Sequence, residues 1–437
     1  MHDEILHVYY RGELVGTIAQ AVSRHMEFVY APEWLGKNDA FAISHSLPLD
    51  GGYARGTVDH FYFANLLPEG EARGAVCRRL GLSESNDFEL LRRIGAECAG
   101  ALSILPAGVE ATAAGSYRPI SEQEMELAVN SPNPGFRQFP AGRTRFSFAG
   151  RQDKWAVYLD KDGNKCFPEG NAPSTHMLKF DSRDYKGTAW NEAYVSFLAR
   201  HIGVPSVEIR PFTGYSLIRR YDRETAPDGG IERIHQEDFC QALGLSAGEK
   251  YTDQGGPCFN KCLSLIAEVS TRAAADSIAL IGWHIANVLL GNADGHAKNL
   301  SFILAEGGWR LAPFYDLVCT AVYEVQGVDG RLAMPVGDQR DPGQIREADW
   351  EKLARDAGMN PRIVLGKLDD MSRKLSERIS LWTDEFHQNN GENKFVDASI
   401  RSAISERVRR IRTLAFGRPA VNLPLAMQEI SGDVLKE

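Results

Sequence analysis

Several classes of protein are excluded by what this sequence lacks. No run of about 18 apolar residues stands out on reading it, so no membrane-spanning helix and no membrane partner is expected. The first residues, Met1-His2-Asp3-Glu4-Ile5-Leu6, have neither a basic stretch nor a long apolar one, so no secretory leader is expected and the cytoplasm is the expected compartment. Cysteine is sparse and scattered: seven residues, at 77, 98, 166, 240, 258, 262 and 319, an odd number without the spacing of a disulfide framework. Cys258 and Cys262 lack a second Cys or His pair at zinc spacing and read as plain thiols. Positive charge is short, 49 Lys and Arg against 58 Asp and Glu, and the net charge of −9 argues against non-specific nucleic-acid binding by the whole chain. The basic run from Arg401 to Arg412 is either a solvated helix face or a surface that meets a partner or DNA. No internal repeat is evident.

What is present suits a soluble globular chain of 437 residues, with 43% hydrophobic and 24% charged residues, long enough for two or three units. Residues 4–30 alternate around Arg11-Gly12 and read as a hairpin followed by a third strand at Phe28-Val29-Tyr30. Glu71 to Leu80 and Asp87 to Ile94 have helical spacing. This opening part, 1–110, reads as a small α+β unit with no obvious catalytic group. A Pro-, Gly- and Ser-rich connector carries one helix, Ser121 to Val129. Strands follow at Arg145 to Phe148, Trp155 to Leu159, Thr175 to Phe180, Val207 to Arg210 and Tyr215 to Ile218, with a helix from Asn191 to Ile202. Beyond Asp222-Arg223 the pattern turns helical, with Thr320 to Gln339 as loop or strand. The expected class is α+β: a bilobal, protein-kinase-like fold with an extra N-terminal subdomain (1–110), a β-rich lobe (111–225) and an all-helical C-terminal lobe (226–437).

The chemistry-bearing stretch is Gly291-Asn292-Ala293-Asp294-Gly295-His296-Ala297-Lys298-Asn299, followed by Pro313-Phe314-Tyr315-Asp316. An Asp, an Asn five residues on and a later Asp after an aromatic pair is how a kinase centre is written. Asp294 would take the proton of the attacking hydroxyl; Asn299 and Asp316 would bring oxygens to Mg²⁺. His296 and Lys298 could neutralise charge on the transferring phosphoryl group, or simply pack and be solvated. Lys179, in Met177-Leu178-Lys179-Phe180, is either the outward face of a pleat or the strand lysine that grips nucleotide phosphates, with Glu192 as its helix partner. Ala149-Gly150-Arg151-Gln152-Asp153-Lys154 is either a β-turn or a phosphate-covering loop; its one Gly makes it neither a G-x-G-x-x-G nor a Walker loop. Arg219-Arg220-Tyr221 lies where strands give way to helices, as a hinge or as a plain strand end.

Together these residues resemble the HipA-type serine/threonine kinases, the toxin halves of bacterial toxin–antitoxin pairs. The matching motifs include Ser46-Leu47-Pro48-Leu49, Leu66-Leu67-Pro68-Glu69, Ser147 to Lys154, Thr175 to Lys179, Asn191-Glu192, Arg220-Tyr221-Asp222-Arg223, Gln236 to Gln241, Lys250-Tyr251, Asp294 to Asn299 and Pro313 to Asp316. The resemblance implies ATP and Mg²⁺ as cofactors, Asp294 as base with His296 and Lys298 beside it, and Asn299 and Asp316 as metal ligands. It implies that Lys179, Glu192, His296, Asn299, Tyr315 and Asp316 face the nucleotide. Residues 149–154 would line its phosphates, and Arg219, Arg220 and Tyr221 its adenine. Ser147 falls on the serine that the family autophosphorylates to switch itself off; added charge of about −2 there would repel the ATP phosphates. It further implies an aminoacyl-tRNA synthetase as target, glutamyl-tRNA synthetase foremost, with arrest of translation and dormancy. The implied partner is a HipB-like helix-turn-helix antitoxin that alone brings operator DNA. Arg219 and Asp153 depart from the best-known member, which has acidic residues at both, Glu at the second. A small-molecule or lipid-head-group kinase, or a pseudokinase co-repressor, are the alternative readings; the intact set Lys179, Asp294, Asn299 and Asp316 argues against the last.

Overall fold

The computed structural model describes residues 5–109, 111, 115–130, 150, 152–227 and 229–418. Ser147, Ala149, Arg151 and the strand expected at Arg145 to Phe148 lie outside the described residues. The chain forms two compact units, Met1–Ala193 with Ser206–Ile278 and His296–Asp316, and Tyr194–Pro205 with Ala279–Gly295 and Leu317–Glu437.

The first unit begins with β1 (Ile5–Tyr10), β2 (Glu13–Gln20) and β3 (Met26–Tyr30), joined by β4 (Leu102–Pro106) in the order β3-β2-β1-β4. Arg11 and Gly12 both have positive φ, 50° and 85°, the backbone that a two-residue hairpin loop requires. Inward residues Leu6, Val8, Val15, Ile18 and Phe28 pack against Tyr62, Phe63, Val76, Phe88 and Leu91. These come from helices Val58–Ala64, Gly70–Leu80 and Asp87–Ile94.

A second, antiparallel sheet has the order β5-β7-β6-β8-β10-β9. Its strands are β5 (Ser116–Pro119), β6 (Lys154–Leu159), β7 (Lys165–Glu169), β8 (His176–Phe180), β9 (Ile209–Phe212) and β10 (Tyr215–Arg219). Register pairs Lys154 with Lys179 and Lys179 with Ser216, so the three share one face. The Ala156–Met177–Ile218 row shares it too. The other face carries Trp155, Leu178, Phe180, Tyr215 and Leu217, closed over by Ala128 of helix Glu122–Asn130. Lys179 therefore stands opposite the apolar core, yet is only 3% exposed. It is not a solvated pleat residue.

Past Asp222 the chain is mostly helical as expected, but strands are also present. These are β11 (Arg223–Thr225), β12 (Ile231–Arg233), and a sheet of β13 (Gln236–Asp238), β14 (Ser301–Ala305) and β15 (Gly308–Leu311). Three to five residues per strand are too few to show an alternation of period two in the sequence. Asp238 ends β13 and caps helix Phe239–Ala242, accepting the Gln241 N–H at 2.9 Å.

The second unit holds helices Glu347–Asp356, Pro361–Asn390 and Lys394–Phe416. Thr320–Gln326, expected as loop or strand, is a 3₁₀ helix. Helix Ala273–Leu290 is, against the expectation from sequence, long and apolar enough to cross a bilayer by length and composition. Every residue from Leu280 to Leu290 is buried inside the protein, which makes it a core helix. Within the basic run, Arg407 pairs with Glu324 at 2.9 Å, Arg409 with Glu406 at 2.6 Å and Arg412 with Asp369 at 3.1 Å. Those three are engaged within their own unit.

Candidate active site

In the first unit Lys179 gathers two carboxylates. Its Nζ lies 2.7 Å from Glu192 Oε2, on helix Thr188–His201, and also bonds Asp316 Oδ1. Burial works against the ammonium, but Asp316 and Glu192 outweigh it and hold its pKa above the usual value. Burial likewise opposes the Asp316 carboxylate, yet Lys179 and Lys154 hold its pKa well below the usual range. Lys154, opposite Lys179 in register, is pushed down to about 8 by burial and by the neighbouring Lys179 charge. Two lysines aimed at one face are a ready anion site.

Asp316 is placed by the strand-like Phe314, which bridges Ser206 and accepts the Val207 N–H at 2.9 Å. Its own φ is +59°, a left-handed conformation that a non-glycine residue rarely holds and that tends to mark functional positions. Its side chain is 41% exposed, unlike Lys179. Asn299 Nδ2 donates to Asp316 Oδ2 at 3.1 Å, and Asn299 Oδ1 accepts the His296 N–H at 3.1 Å. The Asn299 amide and the Asp316 carboxylate thus lie side by side, Asn299 buried and the Asp316 side chain accessible. Among the described residues no cluster of three His, Cys, Asp or Glu could hold a metal. An Asn–Asp pair still fits Mg²⁺, which commonly takes one or two protein oxygens and completes its shell with water and substrate phosphates.

His296 is 7% exposed, with its ring edge-on to Tyr251 at 5.0 Å. Lys298 is turned into the interior. Its Nζ donates to Asn65 Oδ1 and Asp238 Oδ2, both at 2.7 Å, and lies 3.8 Å from Glu69 Oε1. The Tyr315 hydroxyl donates to the Lys298 carbonyl at 2.7 Å. Lys298, expected beside the phosphoryl group, is therefore an anchor for the 296–299 turn. Asn65 and Glu69 come from the opening part, where sequence offered no functional group; Pro68-Glu69 in an otherwise apolar turn was the available signal.

Asp294 belongs to the second unit, two positions before His296 along the chain. It is exposed while residues 291–293 and 295 are buried. Its N–H donates to Asn292 Oδ1 at 3.0 Å, and Asn292 Nδ2 donates to Asn287 Oδ1 at 3.0 Å. Ala293 is clamped through its N–H to Thr320 Oγ1 and its carbonyl to the Ala333 N–H, both at 2.8 Å. Gly295 is required by close packing, since a Cβ there would stand 2.4 Å from Asn287 Nδ2. An exposed carboxylate on so firmly held a backbone suits a general base.

Of the phosphate-loop residues, Gly150, Gln152, Asp153 and Lys154 are described. The Gly150 carbonyl accepts the Glu69 N–H at 3.0 Å, and Asp153 Oδ2 pairs with Arg183 at 2.9 Å. At the expected hinge Arg219 is exposed. The Arg220 guanidinium is instead drawn into a buried ion cluster, with Asp222 at 2.7 Å, Glu97 at 3.1 Å and Ser174 Oγ at 2.9 Å. Sequence position alone did not distinguish a binding hinge from this anchor. Tyr221 stacks on Tyr315, ring centroids 6.0 Å apart, and its hydroxyl bonds Gln236.

Known proteins resemble this chain along most of its length. Residues 146–379 match the model of the HipA-like C-terminal domain, and residues 6–105 that of the HipA N-terminal domain. The chain is 34% identical over 385 residues to the putative kinase Y4mE of Sinorhizobium fredii, covering 86% of this chain and 91% of the relative. It is 31% identical over 368 residues to the serine/threonine-protein kinase toxin HipA of Shewanella oneidensis, covering 80% of this chain and 82% of the relative. Among solved structures it is similar to that of the Shewanella oneidensis MR-1 toxin–antitoxin system HipA, HipB and operator DNA complex. The TM-score is 0.79 at 27% identity, over 93% of this chain and 97% of the matched one.

Proposed function

The chain belongs to the HipA family of serine/threonine kinase toxins, and from that premise we propose that it transfers the γ-phosphoryl group of ATP to a protein hydroxyl. The observation that carries this reading is the Lys179–Glu192–Asp316–Asn299 group: a buried strand lysine set between a helix carboxylate and an accessible carboxylate that also meets an asparagine.

In this reading Lys179 holds the α- and β-phosphates, oriented by Glu192, and Lys154 adds charge at the same face. Residues 149–154 cover the phosphates. The Ala156–Met177–Ile218 row and Tyr221 offer apolar surface for the base, with Arg219 and Tyr221 at the hinge and Arg220 anchoring it from the buried cluster. Asn299 and Asp316 hold Mg²⁺, which when bound neutralises charge developing on the phosphates. Asp294 accepts the proton of the attacking hydroxyl, and His296 follows it two positions along the chain. Ser147 is the autophosphorylated, inactivating site.

We infer an aminoacyl-tRNA synthetase as substrate, glutamyl-tRNA synthetase foremost, and a HipB-like antitoxin as the partner that brings operator DNA. The match to a HipA structure from a complex with HipB and operator DNA supports the second. Labelled ATP added to host lysate tests the whole reading. A labelled synthetase band with wild type, absent with Asp294→Asn, is expected; labelling of a small molecule, or none, would overturn it. Peptide mapping after incubation with Mg-ATP is expected to find one phosphate on Ser147.

A further inference from the structure

Glu69 touches three segments on which the kinase reading depends. Pro68 and Gly150 form a parallel bridge, in which the Glu69 N–H donates to the Gly150 carbonyl at 3.0 Å. Glu69 Oε2 accepts from Lys250 Nζ at 2.8 Å, and the Lys250 carbonyl in turn accepts the Ala297 N–H at 3.2 Å. Glu69 Oε1 lies 3.8 Å from Lys298 Nζ and is buried without a hydrogen-bond partner among the described residues. The side chains of Glu69, Lys250, Lys298 and Asp238 are 18%, 11%, 5% and 10% exposed. Two ammonium groups thus face two carboxylates where solvent screens them poorly.

Resting on the kinase reading of Gly150 and the 296–299 turn, we propose that Glu69 is a positioning residue that couples the nucleotide loop to the catalytic turn. Through its backbone it holds the loop at Gly150; through its carboxylate it holds Lys250 and Lys298, and with them Ala297. The N-terminal region thereby sets both halves of the reaction. Without the Glu69 charge, Lys250 and Lys298 repel each other with Asp238 alone to balance them. The 296–299 turn then shifts, and the freed Pro68-Glu69 segment loosens its bridge to Gly150.

Amide hydrogen exchange in the full chain tests this, with the amides at 69 and 297 as reporters and that of Thr175, bonded to the Val157 carbonyl at 3.0 Å, as a reference. Glu69→Gln is expected to speed exchange at both reporters by about tenfold and leave Thr175 unchanged. It is also expected to lower kcat/KM for transfer from Mg-ATP by about tenfold or more, with Glu69→Asp recovering part of it. Should Glu69→Gln fail to fold, Lys250→Met reads the same coupling, with both reporters again expected to exchange faster. Loss of protection at 69 alone, at 297 alone or at neither would overturn the proposal. If wild type transfers no phosphate, the kinase reading fails while the exchange result still decides the coupling.

Discussion

Lys179 and Glu192, on a strand and on the helix that follows it, form an ion pair of 2.7 Å with both side chains under 5% exposed. A buried pair of this kind is poor evidence of stability, because desolvation offsets most of the attraction. It is better understood as a device for aiming one ammonium. Its second carboxylate, Asp316, is the accessible one.

Replacing Lys179 by Met leaves Glu192 buried without its cation. Phosphoryl transfer is expected to fall by about a hundredfold or more, since phosphate positioning is lost. The unfolding midpoint is expected to fall as well, because burial already drives the Glu192 pKa up and an unpaired carboxylate there is strongly disfavoured. Steady-state kinetics and thermal denaturation measure the two effects; unchanged kinetics would remove Lys179 from the nucleotide site.

Asn299→Ala removes the bonds to the His296 N–H and to Asp316. The expected signature is a Mg²⁺ requirement raised by about tenfold, read by titrating the metal at fixed ATP. A proportional loss of activity at every Mg²⁺ concentration would make Asn299 a turn residue only.

The Arg220–Asp222 pair is structural. Asp222→Ala strips a carboxylate from Arg220 and Arg223 and leaves Glu97 alone to balance them, with an expected loss of about 3–5 kcal/mol in denaturant unfolding. A loss in nucleotide affinity without a change in stability would instead place this cluster at the adenine.

Much of this was legible in the sequence. The strand alternation of β1 to β3, the helix Asp87–Ile94 and the Asp294–Asn299 spacing are local signals, carried by residues close together in the chain. Lys298 was not legible, because its partner Asn65 is 233 residues away and no periodicity reports such a contact. The role of Arg220 was hidden for the same reason: Glu97 lies 123 residues before it. The short β13–β14–β15 sheet carries no pattern long enough to read.

Glu237 supplies a pH dependence. Burial raises its carboxyl pKa to about 8, while Ser44 and the His45 N–H favour the ionised form. The folded chain thus keeps a proton that the unfolded chain releases near the ordinary value of about 4.3. Stability from this group is fully present below that value and is lost as pH rises toward 8. Glu237→Gln is expected to flatten the fall in unfolding midpoint between about pH 5 and pH 8; identical pH profiles for the two proteins would remove Glu237 as its source.

The central claim is that Asp294 is the base of a phosphoryl transfer. Purified wild type and Asp294→Asn should be compared in single-turnover transfer from Mg-ATP, with nucleotide affinity measured alongside. A fall in transfer of about a thousandfold or more with affinity within about threefold of wild type is the predicted result. Transfer within about tenfold of wild type by the Asn variant would contradict it.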